Sequence, residues 1–188
     1  MANFKDSPHF EKHDHYYTAK ESWEQLSSIK EEVKINCSKI LEACCMNAPL
    51  SKSDKYLNEI FGLPVKRNEE DFLSLDTDET RRLYDIIITN PPFTNPIKKN
   101  IIKKLLDIDR PFIIILNSTN IYSKWFRETM GDKIKDIQIL TPKQKLKYNK
   151  AIKNEEGEWE LEKKTKDPSF YSCFVSYKLN LPNEKLFL

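Results

Sequence analysis

An α/β domain built on a mostly parallel sheet, with helices on both faces and an antiparallel strand pair at one end, is the architecture this sequence predicts. Three observations lead there. Strand-like and helix-like hydrophobic patterns alternate along the chain. Two runs, the β-branched one at 85–89 and the apolar one at 112–116, read as strands covered on both faces. No convincing helix separates the last two strand candidates, which makes them an antiparallel pair.

The elements follow in order. Residues 1–15 hold all three histidines and little apolar content, and read as a flexible arm. Trp23, Leu26, Ile29 and Val33 recur at three- and four-residue steps, which predicts an amphipathic helix over 22–33. KILEAC, 39–44, is the first strand candidate, and Ser51 caps a helix to Phe61 with Tyr56, Leu57, Ile60 and Phe61 on one face. Residues 63–65 form a short extended piece. After the strand at 85–89, a helix from Asn95 or Pro96 to Leu106 carries Ile97, Ile101, Ile102, Leu105 and Leu106, with Lys98, Lys99, Lys103 and Lys104 as its solvated surface. The strand at 112–116, a short helix at 123–130 and an alternating strand at 134–140 come next. A polar stretch, 141–168, reads as a loop or hairpin insertion before the final strand at 169–179.

The 188 residues suit a single domain, within the usual span of about 100–200. No apolar run approaches the roughly 18 residues of a membrane span. The opening MANFKDSPHFEKHDH lacks the apolar core of a secretory signal, so an intracellular protein, in cytoplasm or host nucleus, without a membrane partner is expected. Cys37, Cys44, Cys45 and Cys173 contain no C-x-x-C pair, and vicinal thiols cannot give one zinc two unstrained ligands, so reduced thiols and no metal are expected. Net charge is only +2, from 31 basic and 29 acidic residues, yet it is unevenly spread. Lys143, Lys145, Lys147, Lys150 and Lys153 precede Glu155, Glu156, Glu158, Glu160 and Glu162. The lysines are candidates for nucleic-acid phosphates, and a solvent-exposed hairpin explains them equally well.

The chemistry gathers at YDIIITNPPFTNP, 84–96. Two successive prolines fix φ near −65° and contribute carbonyls without N–H donors, so the loop after the strand is a stiff rim rich in acceptors. Asn90 adds a carboxamide oxygen and Phe93 an aromatic face. An aromatic amine is a weak nucleophile because its lone pair is delocalised. Two acceptors, Asn90 and the Pro91 carbonyl, can draw both N–H bonds and favour a pyramidal nitrogen, while Phe93 stacks on the ring and orients it.

A strand followed by Asn90-Pro91-Pro92-Phe93 resembles the fourth motif, [DNS]-P-P-[YFW], of the amino-group methyltransferases that use S-adenosylmethionine. His15-Tyr16-Tyr17-Thr18 is similar to the methionine-binding segment that precedes the first strand in many DNA adenine methyltransferases. FIIILNSTNIYSKWF, IQILTPKQKLK and PSFYSCFV resemble their phage-like and large-virus members. The resemblance spans about residues 14–180, and NPPF is its specific part. It implies a seven-stranded Rossmann-like class I methyltransferase fold, S-adenosylmethionine as cofactor and an adenine flipped out of DNA as substrate. It implies catalytic roles for Asn90, Pro91, Pro92 and Phe93. Cofactor contacts would come from Tyr16, Tyr17, Thr18, Glu42, Cys44, Asn47, Asp71, Phe72 and Asn90, and nucleic-acid contacts from Lys143, Lys145, Lys147 and Lys150. Asp85 is given no catalytic role.

Two departures stand beside it. Only Gly62, Gly131 and Gly157 occur, so the first motif, here Leu41 to Pro49, has its acidic residue, Glu42, and no glycine for close approach to the cofactor. Residues 66–70, Lys-Arg-Asn-Glu-Glu, do not read as a strand ending in the acidic residue that grips a ribose. A non-catalytic relative that binds nucleic acid or a partner methyltransferase subunit therefore stays open, as do methylation of adenine or guanine in RNA, or of glutamine in protein. The chain has no separate target-recognition domain, which is compatible with short-site recognition, a homodimer or a partner subunit.

Overall fold

A computed structural model describes residues 16–45, 50–154, 156–161 and 169–188. The expected arm with its histidines, and Asn47, fall outside them.

The chain opens with β1 (Tyr16–Thr18), α1 (Lys20–Trp23), a 3₁₀ segment (Glu24–Ile29) and α2 (Lys30–Asn36). One continuous helix was expected there. The hydroxyls of Ser27 and Ser28 bond the carbonyls three residues back, at Glu24 and Gln25, and these i−3 contacts accompany the tighter winding. Then come β2 (Ile40–Glu42), α3 (Ser53–Phe61) and β3 (Val65–Arg67). α3 ends on Gly62 at φ 65°, the left-handed conformation that favours glycine. A helix the sequence reading did not include, α4 (Thr77–Leu83), is capped by Asp76, whose carboxylate accepts from the Glu79 amide.

β4 (Ile86–Thr89) leads into α5 (Asn95–Ile108), which carries Pro96 in its first turn, where a missing N–H costs nothing. β5 (Phe112–Asn117), α6 (Ser118–Ile121), α7 (Lys124–Met130) and β6 (Ile137–Leu140) follow. The stretch expected as a loop or hairpin contains β7 (Tyr148–Lys153) and β8 (Trp159–Leu161), an antiparallel pair. The last strand is β9 (Ser172–Tyr177).

Six strands form the main sheet in the order β3-β2-β4-β5-β9-β6. β2 to β5 are mutually parallel, and β9 runs antiparallel between β5 and β6. This is a mixed α/β sheet with the expected antiparallel pair at one end, and among the described residues it has six strands where seven were expected. A second sheet, β1-β7-β8, was not foreseen, and it brings Tyr16 opposite Lys150.

Alternating side chains of the central strands feed two cores, one on each face. Ile86, Ile88, Ile113 and Ile115 pack with Trp23, Leu26, Leu57 and Phe61. Ile87, Phe112, Ile114 and Leu116 pack with Ile102, Leu105, Ile108 and Phe126. At the amino edge of the sheet, Asp85 accepts from the Ser38 hydroxyl and from the amides of Ser38 and Lys39, a structural role. Asp109, left-handed at the end of α5, accepts from Lys133, Lys178 and the Tyr177 hydroxyl at 2.7 to 2.9 Å. No helix among the described residues is long and apolar enough to cross a membrane.

Candidate active site

β2 lies between β3 and β4, so the chain builds outward in one direction to β3 and then returns to build in the other. In open α/β sheets ligands bind at such a reversal, beyond the carboxyl ends of the two strands. Glu42, Ala43 and Cys44 leave β2 there, and Thr89 and Asn90 leave β4.

Asn90 holds its carboxamide oxygen buried, with no hydrogen-bond partner among the described residues. Pro91 is buried behind it. The far end of the tetrapeptide is fastened by Lys98, whose ammonium donates to the Phe93 carbonyl at 3.0 Å and lies 5.6 Å from the centre of the Trp125 ring. Lys98 was expected on a solvated surface; it is 3% exposed. One turn into α5 its long stem reaches back across the helix start to that carbonyl. Lys104 is also only partly exposed and donates to Leu75 and Thr77.

Phe93 belongs to a four-ring cluster. Tyr16 and Tyr148 meet it edge to face at 6.4 and 5.8 Å, and Phe170 tilts against it at 5.2 Å. Tyr148 is fixed in turn by its hydroxyl, which donates to Ser172 at 2.8 Å. β1 therefore meets the NPPF loop through Tyr16, while the hydroxyls of Tyr17 and Thr18 are buried without partners among the described residues. Burial raises the Tyr17 phenol above its ordinary pKa, opposed by the positive charge of Arg67.

Glu42 is 2% exposed. Thr89 donates to its Oε1 at 2.7 Å and the Cys45 thiol contacts Oε2. Thr89 also accepts from the Cys44 amide at 3.0 Å, tying the end of β2 to the end of β4. Burial dominates the electrostatics and pushes the Glu42 carboxyl up to about 7, while the Thr89 hydrogen bond and Arg67 pull the other way. Burial likewise pushes the Cys44 thiol up to about 12, so it stays protonated.

The glycine turn that the sequence lacks is flanked by residues held through side chains. The Asn68 amide donates to the carbonyls of Ala43 and Glu70, both at 2.8 Å, and Arg67 donates to the Ser51 carbonyl at 2.8 Å. Residues 65–67 do form a strand, against expectation, because parallel pairing to β2 outweighs their charge. The residue just past its end is the buried Asn68. Asp71 caps a 3₁₀ turn by accepting from the Leu73 amide at 3.0 Å, and Phe72 is buried in the core that holds Leu41 and Ala43.

The four lysines are not gathered on one track. Lys143 is exposed; Lys145 lies 4.9 Å from the centre of the Tyr171 ring; Lys147 faces Glu21 at 4.0 Å; Lys150 stands in β7 opposite Tyr16. Ser118 lines a cleft beside β9 and Asn117 caps α6. No group of three or more His, Cys, Asp or Glu side chains among the described residues is placed to hold a metal ion. Sequence reasoning missed Thr89, Arg67, Asn68, Lys98 and Tyr148; the run of polar residues after β3 was the available sign of a braced loop.

No protein-family profile matches the chain, and no curated protein does. Among solved structures, it is similar to a chain from a study of complex assembly and conformational transition in the type I R-M system, at 8% identity and a TM-score of 0.43, over 80% of this chain and 41% of that one. It is also similar to a candidate class I S-adenosylmethionine-dependent methyltransferase of Listeria monocytogenes, at 12% identity and a TM-score of 0.49, over 92% of this chain and 65% of that one. The chain thus spans less than two thirds of either.

Proposed function

We propose that this protein transfers the methyl group of S-adenosylmethionine to the exocyclic N6 amino group of an adenine in DNA. The carrying observation is the Asn90 oxygen, an acceptor buried at the sheet's reversal point with no partner among the described residues. Leaving a buried acceptor unsatisfied costs about 1–3 kcal/mol, and a ligand N–H would remove that cost. The unpartnered hydroxyls of Tyr17 and Thr18 fit a polar cofactor in the same way; with Glu42, Cys44 and Asn90 they are the residues that would hold it. Bound there, the cofactor would supply an electrophilic methyl on a sulfonium sulfur with a neutral thioether as leaving group, and the methylated amine's surplus proton would pass to water.

The chain's part is placement. Asn90 and the Pro91 carbonyl accept the two N–H bonds of the amine and turn its lone pair outward. Pro91, Pro92 and the Lys98 contact keep that pair of acceptors from moving, and Phe93, wedged among Tyr16, Tyr148 and Phe170, presents an aromatic wall for the purine.

One observation favours a second reading, a non-catalytic subunit that binds nucleic acid or a partner methyltransferase. Both carboxylate oxygens of Glu42 and the Asn68 amide are already engaged within the chain. Thermal shift and calorimetry with S-adenosylmethionine and its demethylated product separate the two. At about 100 times its dissociation constant the ligand adds about 2.7 kcal/mol, a rise in Tm of roughly 5–10 °C for a chain of this size. With binding shown, labelled methyl should pass to DNA in preference to RNA and be lost in Asn90→Ala. No shift at millimolar ligand, or full transfer by the alanine variant, would overturn the proposal.

A further inference from the structure

Beyond the carboxyl ends of β5 and β6, on the edge of the sheet where Asn90 lies, a cleft of about 330 Å³ opens between α6, the segment after β6 and the start of β9. That volume is at the lower end of the range of about 300–1,000 Å³ typical of small-ligand sites. Two tyrosines line it with their rings largely in water, Tyr122 at 79% and Tyr171 at 68% exposure, together with the partly exposed Ile139. Lys145 places its ammonium 4.9 Å from the Tyr171 ring centre, and Lys143 is exposed two residues before it. No Asp or Glu is among the described lining residues. Exposed aromatic faces beside positive charge match a ligand that is planar in one part and anionic in another.

The cleft is also coupled to the NPPF loop. Phe170 packs on Phe93 at 5.2 Å and the next residue, Tyr171, lines the cleft. Ser172, on the cleft wall, accepts from Tyr148, which packs against both Phe93 and Phe170. A nucleotide held at Asn90 would thus have its neighbour in the strand within reach of Tyr171.

We propose that this cleft stacks a base of single-stranded DNA, the nucleotide flanking the one presented to Asn90, with Tyr171 and Tyr122 as the stacking surfaces and Lys145 beside the phosphate. This rests on the DNA-methylating reading for the identity of the neighbouring nucleotide; the binding itself is measured without cofactor.

The test is fluorescence anisotropy of the full chain with a short fluorescein-labelled oligonucleotide, as single-stranded DNA, duplex DNA and single-stranded RNA, across a salt series. Tyr171→Ala should weaken binding to the DNA strand about 5- to 150-fold, the range for loss of one base–aromatic stack. Tyr171→Phe should keep it within about twofold, because the ring face is retained. Lys145→Ala should lower the slope of log K against log salt by about 0.7. Circular dichroism verifies that these variants fold, as their exposed positions lead one to expect. Binding by Tyr171→Ala equal to the unaltered protein, or equal affinity for duplex, would overturn the cleft. Tighter binding of RNA than of DNA would overturn the choice of DNA. Ring-dependent binding of the DNA strand without any methyl transfer would uphold the cleft and refute the methylation reading alone.

Discussion

Replacing Glu42 with glutamine tests the interior of the candidate site without reference to any ligand. An unfolded glutamate titrates near 4.3, whereas burial raises the folded carboxyl to about 7. The folded state therefore holds a proton that the unfolded state has released across the interval between. Stability from this group is fully present below the unfolded value and is lost as pH rises through 7. The group is buried on every side, so solvent screening does not reduce the effect. From pH 5 to pH 8 the loss comes to about 2–3 kcal/mol. Glu42→Gln keeps the shape and an acceptor for Thr89 and removes the titration. Urea denaturation followed by tryptophan fluorescence, with Trp23 buried in the core as reporter, gives the comparison. The variant's midpoint, relative to the unaltered protein, should move up by roughly 1 M urea between pH 5 and pH 8, for a slope of about 1–3 kcal/mol per molar. All other titrating groups cancel in the difference. Midpoints that stay equally separated at both pH values would mean that the carboxyl is not held protonated, and the description of the β2–β4 junction would fail.

Other expectations follow from single contacts. Thr89→Val leaves Glu42 Oε1 and the Cys44 amide without their shared hydroxyl, and should cost about 2–4 kcal/mol in urea melts. Lys98→Met removes the donor to the Phe93 carbonyl; a loss of about 1–3 kcal/mol is expected, with amide exchange faster at residues 93 and 94. Asn90→Ala should leave stability unchanged or raise it slightly, because the oxygen it removes has no partner among the described residues; a melt lowered by more than about 1 kcal/mol would show a hidden structural bond. Lys133 first, then Lys178, hold Asp109 well below the usual carboxylate range, so its contribution is present at neutral pH and vanishes on acidification through that range. At 38% exposure, Asp109→Asn should cost only about 1 kcal/mol at pH 7, and less in high salt.

The parts of the fold legible in the sequence were those where burial and chain pattern agree. Ile86 to Ile88 and Phe112 to Leu116 are apolar on both faces because both faces are covered, and β-branched residues bounded by turns favour a strand there. The NPPF loop was legible because proline restricts its own backbone whatever surrounds it. β7 and β8 were hidden because, among their described side chains, Tyr148 and Ala151 alone are well buried, while Ile152, Trp159 and Leu161 stay partly or largely exposed between polar neighbours. A hint lay in Asn154 and Gly157, which form the turn: the Asn154 side chain accepts from the amides of Glu156 and Glu158, and Gly157 takes φ 82°. Lys98 misled because helical periodicity assigns a lysine to water and says nothing of a carbonyl five residues back. The bracing of the β2 loop by Arg67 and Asn68 was likewise invisible, since it depends on a strand whose pairing, rather than whose composition, makes it one.

The pairing of β1 with β7 joins residues 16–18 to residues 148–150. During synthesis the first of these must wait, unpaired, until the second has left the ribosome. The parallel core from β2 to β5 can collapse well before that, since its strands lie close together in the chain and their loops close at lower entropic cost. Tyr16 thus reaches Phe93 as a latecomer, and a nascent chain carries the loop of Asn90 to Phe93 in an unfinished form until the β7 hairpin has emerged to receive β1.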